Sequence, residues 1–289
     1  MNFDTLCLSG GGINGFLYIG ALDYLQTNNI IDFTKINNYI GTSIGAMTCF
    51  MLALDYSIKE IYDFFLDFNF KKLETETSIE QLFEKFAIND GNRISYMLSY
   101  FIQKKHKVSD MNFIDLYNIN NKTLSIIGTN LTLSREELFN YKLTPNMSIL
   151  TAIRISISIP IYFSPVFYNN CYYVDGGIVN NFPIKYCNSE TTIAMCINFD
   201  IINEITSVID IFKSCINIVC LNILTKDIKK YSNNIIFLKG SYDNTIRFDL
   251  TKEEKLTIIN SGADITKKYI DDININICKN ILYDIIDKL

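Results

Sequence analysis

The sequence predicts an α/β fold with a mainly parallel sheet. Three observations carry this expectation. Short apolar runs stop at glycine-rich loops, stretches with helical spacing follow those loops, and this strand–loop–helix order dominates the first half of the chain. Of the 289 residues, 48% are hydrophobic and 20% charged, a globular composition with enough apolar material for a sizeable core. No internal repeat, low-complexity tract or Pro/Gly/Ser linker divides the chain, so a single domain is expected over residues 1–289.

The elements follow in order. Phe3 to Leu8 is a short apolar run that stops at Ser9 and three glycines, which reads as a buried strand. Phe16, Ile19, Leu22 and Leu25 recur at helical spacing, so a helix follows the glycine loop over Phe16 to Gln26. Asn38 to Ile40 is a second strand, ending at Gly41. Ile44 to Leu54 is apolar nearly all round and rich in Met and Ala, as in a buried helix. Ile58 to Phe68 predicts a helix that is aromatic on one face. The more polar stretch from Lys71 to Lys107 predicts short helices forming a cap. Thr123 to Gly128 and Glu137 to Tyr141 read as strands, and Ser148 to Ser158 as a helix that ends before Pro160. Val166 to Tyr168 and Cys171 to Val174 predict a hairpin across Asn169-Asn170. Thr192 to Phe199 is a buried strand. From Ile205 to Leu289 the pattern is mostly helical, with one strand over Ile235 to Leu238.

Charge and composition exclude several classes. Lys plus Arg total 26 and Asp plus Glu total 31, a net charge of -5, which argues against a general affinity for nucleic acid. None of the eight Cys is spaced as C-x-x-C, and His106 is the only His, which excludes zinc-finger arrays, HExxH proteases and His-rich metal sites. No metal and no cofactor is expected. The N-terminus lacks a basic n-region and a long apolar h-region, so no signal peptide is expected. The most continuous apolar stretch, Ser207 to Leu224, is broken by Asp210, Lys213, Asn217 and Asn222 and is too polar for a membrane span. The expected location is intracellular, cytoplasmic and reducing.

Three motifs carry chemistry. The first is Gly10-Gly11-Gly12-Ile13-Asn14-Gly15, a G-x-G-x-x-G between a strand and a helix. Its backbone N–H groups can bind a dinucleotide pyrophosphate, with Asp32 offered for the ribose, or the oxyanion of an acyl-transfer intermediate. A plain tight turn is the third reading. The second motif is Gly41-Thr42-Ser43-Ile44-Gly45, a G-x-S-x-G after a strand and opening an apolar helix, which is the setting of a nucleophile elbow. The alternative is a small-residue turn with Ser43 as an N-cap. A serine nucleophile needs a base. His106 is a poor one: it lies in the basic run Lys104 to Lys107 and fits none of the familiar triad orders. The third motif supplies a carboxylate instead. Tyr172-Tyr173-Val174-Asp175-Gly176-Gly177 ends a strand in Asp175, which can take the serine proton directly if partly buried. An Asp-Gly turn is the plainer reading.

Together the three motifs, in this order, resemble the patatin-like phospholipases. The stretches Leu8 to Leu25, Gly41 to Ala46 and Ile159 to Ile184 all look like that family, and the resemblance spans roughly residues 3 to 200. It implies a three-layer α/β/α fold and a Ser–Asp dyad without His. By match to the motifs, Ser43 is the nucleophile, Asp175 activates it, and the backbone of Gly10, Gly11 and Gly12 holds the oxyanion. Gly15, Gly41, Gly45, Gly176 and Gly177 support these turns. The implied reaction is hydrolysis of acyl esters of glycerophospholipids through an acyl-Ser43 intermediate, without metal. Transient contact with a membrane surface is implied by that enzyme class, and an activating partner is left open. One departure stands out: the family usually has Arg or Lys where this chain has Asn14, which cannot carry charge but can donate a hydrogen bond. That change motivates a second expectation, a catalytically weakened lipid-binding protein.

Overall fold

The computed structural model describes residues 3–75, 84–199, 205–206, 210–211, 214–216, 218–219, 234–241 and 246–286. A central sheet runs in the order β10-β9-β1-β2-β4-β8-β7. Its strands are β1 (Thr5–Leu8), β2 (Asn38–Gly41), β4 (Thr123–Asn130), β7 (Val166–Tyr168), β8 (Cys171–Asp175), β9 (Thr192–Phe199) and β10 (Ile235–Gly240). Strand β5 (Arg135–Phe139) also pairs with β4. The five strands β10, β9, β1, β2 and β4 are parallel, and β5, β7 and β8 are added antiparallel. The expected mainly parallel sheet flanked by helices is therefore present.

Alternation along the central strands explains why they read as continuous apolar runs. Leu6 and Leu8 of β1 and Met195 of β9 belong to the large core cluster with Phe16 and Leu22. Cys7, Ala194 and Cys196 point to the opposite face, against Phe182 and Ile184. A strand buried on both faces carries apolar residues at every position.

Helices α1 (Phe16–Thr27) and α2 (Ile44–Ala53) follow β1 and β2, as the sequence predicts. Helix α3 (Ile58–Asp67) starts at a capping box formed by Ser57 and Glu60. The hairpin β7–β8 turns at Asn169 and Asn170 with φ of 45° and 59°, the left-handed region that Asn tolerates.

The stretch from Lys71 to Lys107 departs from the expectation of short helices in one respect, a long helix. Its described residues hold a 3-10 turn (Phe70–Leu73), two helical residues at 84–85, a short strand β3 (Ala87–Asn89) and a 15-residue helix, α4 (Asn92–His106). Ile94, Met97, Leu98, Phe101 and Ile102 give α4 its buried face. Its many polar residues on the outer face dilute that period in the sequence. Strand β3 pairs with β6 (Ile161–Phe163) in a separate two-stranded sheet. Residues 76–83 of this stretch lie outside the described residues.

Helix α5 (Phe113–Asn120) precedes β4, and α6 (Ile149–Ser156) ends before Pro160 as expected. A single-turn helix, α7 (Gly177–Asn180), follows β8, and α8 (Lys252–Ile286) packs along α1. Most of Ser207 to Leu224 lies outside the described residues. Among the described residues, no helix is long and apolar enough to cross a membrane.

Candidate active site

The site forms where two neighbouring parallel strands end. Strands β1 and β2 pair in register, Leu8 opposite Gly41, so the glycine loop after β1 and the turn after β2 leave the sheet side by side. Gly45 lets them close up: a Cβ there would lie 2.5 Å from the carbonyl oxygens of both Leu8 and Ser9. Only glycine fits that backbone contact.

Ser43 sits at the sharp point between β2 and α2 with φ 54° and ψ -124°. A non-glycine residue at such angles is strained, and strain of this kind collects at functional turns. Its backbone N–H donates to Ser156 Oγ at 2.9 Å, from the last turn of α6.

Asp175 arrives from the opposite direction. Strand β8 runs antiparallel to β4 and ends with Asp175 opposite Gly128, whereas Gly41 at the end of β2 lies opposite Ile126. Both side chains therefore meet at the same level of the sheet. Ser43 Oγ donates to Asp175 Oδ2 at 2.7 Å, and Gly177 N–H donates to Asp175 Oδ1 at 2.7 Å. Ser43 is 7% exposed and Asp175 6%. Burial pushes the Asp175 carboxyl up to about 7, against the lowering pull of the hydrogen bonds from Gly177 and Ser43. The backbone of Asp175 is held on both sides: its N–H donates to Ser158 O at 2.8 Å, and Thr129 Oγ1 donates to its carbonyl at 2.7 Å.

Residues outside the three motifs brace the site. Buried Arg154 of α6 donates to Ser158 Oγ at 2.6 Å and to the Asp90 carbonyl at 2.8 Å, fixing the turn that carries Ser158. Thr42 Oγ1 donates to the Asn180 carbonyl at 2.9 Å. Nothing in the local spacing of Arg154, Ser156 or Ser158 distinguishes them from ordinary helix residues. Asn180 and Asn181 fall within the stretch that carries the family resemblance, but their role is visible only here.

The glycine loop divides its labour. Gly10 N–H donates to the Asn181 carbonyl at 2.9 Å, so this amide is already engaged and the expectation that it joins Gly11 and Gly12 as a donor is corrected. Gly11 and Gly12 N–H have no acceptor among the described residues. Asn14, 1% exposed, accounts for the loop's shape. Its Nδ2 donates to the Gly11 carbonyl at 3.2 Å and to the Ser241 carbonyl at 2.9 Å, while its Oδ1 accepts from Ser241 N–H at 2.9 Å. The C=O and N–H of one peptide unit point in opposite directions. Holding the Gly11 carbonyl towards Asn14 therefore turns the Gly12 N–H away from it.

The other candidates fall elsewhere. His106 lies half-buried in the last turn of α4 and not in a surface turn, and it makes no hydrogen bond to Ser43 or Asp175. Asp32 is spent capping the turn at Phe33–Lys35, accepting from Thr34 N–H and Oγ1, which removes the ribose partner of the dinucleotide reading. Gly15 packs against Ile44, Gly176 against the Ile127 carbonyl, and Gly177 beside Asn181. Among the described residues no group of three or more His, Cys, Asp or Glu is placed to hold a metal ion.

The chain is similar to known proteins in sequence and in fold. A family model described as "Patatin-like phospholipase" matches residues 6–187. The Invertebrate iridescent virus 6 protein named "Probable lipid hydrolase 463L" is 31% identical over 272 residues, 91% of this chain and 87% of that protein. An uncharacterised protein of Acanthamoeba polyphaga mimivirus is 33% identical over 202 residues, 69% of this chain and 66% of that protein. The crystal structure of VipD from Legionella pneumophila superposes with a TM-score of 0.70 at 17% identity, covering 94% of this chain and 67% of VipD, a likeness of fold.

Proposed function

We propose that this chain, which belongs to the patatin-like phospholipase family, hydrolyses acyl esters of glycerophospholipids with Ser43 as nucleophile and Asp175 as its base. The observation that carries the reading is the 2.7 Å hydrogen bond from the strained Ser43 to a buried carboxyl poised near 7. A general base is most effective when its pKa lies near the working pH.

In the first half-reaction, Ser43 Oγ attacks the ester carbonyl and its proton passes to Asp175 Oδ2. The oxyanion that forms is held by the N–H groups of Gly11 and Gly12. The ester C–O bond breaks, the proton moves from Asp175 to the departing alkoxide of the lysophospholipid, and acyl-Ser43 remains. In the second, Asp175 takes a proton from water, the water oxygen attacks the acyl carbonyl, and the fatty acid leaves as Ser43 regains its proton. Asn14 braces the donor loop without charge, which supports turnover over a binding-only role.

Labelling with a fluorophosphonate probe, followed by mass spectrometry of the adduct, tests this. Labelling confined to Ser43, absent in Ser43→Ala and weakened in Asp175→Asn, is expected. A folded wild-type chain that takes no label would overturn the proposal.

A further inference from the structure

We propose that the groove between α3 and α4 is a second lipid site, which binds the anion of a free long-chain fatty acid. The groove has a volume of about 860 Å³, in the range of small-molecule pockets, roughly 300–1,000 Å³. Met51, Phe64, Met97 and Phe101 form its apolar floor and walls. Phe64 is fixed there by rings on two sides, Phe101 at 4.8 Å and Phe68 at 5.0 Å. Ser43 is not among the lining residues. Met51 lies eight residues further along α2, about 12 Å at 1.5 Å per residue. The groove is thus distinct from the site described above and does not depend on the role given to Ser43.

The rim selects the head group. Five charged side chains line it: Glu60, Asp63, Lys72, Arg93 and Lys104. The two acids are already paired, Glu60 with Lys105 at 3.0 Å and Asp63 with Lys59. Among the described residues, no carboxylate forms an ion pair with Lys72, Arg93 or Lys104. Arg93 donates to the carbonyls of Lys72 and Glu74, which orients its guanidinium without cancelling its charge. An apolar trough edged by three cations with no carboxylate partner among the described residues complements a single apolar chain with an anionic head. Tyr96 and Tyr100, 78% and 53% exposed and one turn apart on α4, supply amphipathic walls at the mouth.

Size argues against a protein helix as occupant. A helix about 10 Å across would fill 860 Å³ within about 11 Å, or roughly seven residues. That is two turns, too short to present an extended apolar face.

Calorimetric titration of the full chain with dodecanoate, kept below its micellar concentration, tests the site. Three proteins are compared: wild type, Met97→Trp, which fills the floor, and Arg93→Gln/Lys104→Gln, which removes two exposed cations. One equivalent should bind to wild type. Affinity should fall at least about tenfold in Met97→Trp and about tenfold in the double variant, and raising the salt should weaken wild type towards the double variant. Dodecanol should bind the double variant as well as it binds wild type. Hydrolysis of a short soluble ester should be unchanged in the double variant, whose fold is checked by circular dichroism. Affinity that is the same in wild type and the double variant would place the fatty acid elsewhere and overturn the proposal. So would an absence of binding to the monomeric fatty acid, including the case where the chain adsorbs only to anionic vesicles or to a partner peptide.

Discussion

Asp175→Asn removes an ionisable group while nearly keeping its shape, and the pH dependence of its effect can be worked out. In the folded chain the carboxyl titrates at about 7, against 3.8 for an ordinary Asp. Between those values the folded carboxyl keeps a proton that the unfolded chain has released. Wild-type stability therefore falls as pH rises across that window and levels off above it. At 1.36 kcal/mol per pH unit, the whole fall is roughly 4 kcal/mol. Asn carries no such term. Its amide NH2 beside Ser43 costs about 1–3 kcal/mol at every pH if left without an acceptor. The variant should thus be the less stable protein at pH 4.5 and gain roughly 3 kcal/mol on wild type by pH 7.5. Urea unfolding of both proteins at pH 4.5, 6 and 7.5, followed by circular dichroism, reads this directly. Parallel pH profiles would refute the reasoning, because they would mean that burial does not hold the carboxyl near 7.

The same ionisation governs the proposed activity. The logarithm of kcat/KM should rise with slope one as pH rises towards about 7 and then level, and a rise centred near 4 would contradict a desolvated base. Asn14→Ala removes three hydrogen bonds and releases the Gly11 carbonyl, so kcat should fall about 10- to 100-fold with KM little changed. Steady-state kinetics on a soluble ester checks this, and an unchanged kcat would show that the loop holds its shape without Asn14. Gly45→Ala drives a methyl group into two backbone carbonyls at 2.5 Å and should cost about 3 kcal/mol or abolish soluble expression. A urea midpoint equal to that of wild type would contradict the close approach of the two loops.

Much of the fold was legible because it is written in local pattern. Apolar runs ended by glycine marked β1 and β2, helical spacing marked α1 and α2, and Asn169-Asn170 marked the hairpin turn. Helix α4 was the clearest miss, since its polar outer face masked a regular buried stripe. Its length matters, because α4 supplies one wall of the groove between α3 and α4.

The sequence by itself determined the class of fold and the residue types at the heart of the site: a serine in a glycine elbow, an Asp before two glycines, a glycine loop and no usable His. These are short-range patterns, fixed by the backbone freedom of glycine and the periods of helix and strand. Only the tertiary structure decided which amide of the loop is engaged, since the partner that occupies Gly10 N–H is Asn181, 171 residues away. Only the fold joins Asn14 to Ser241 across 227 residues, or sets Ser156 and Ser158 behind Ser43 and Asp175. The carboxyl held near 7 is likewise a tertiary property. Desolvation and hydrogen bonding depend on what surrounds a group in space, and no spacing along the chain encodes that surrounding.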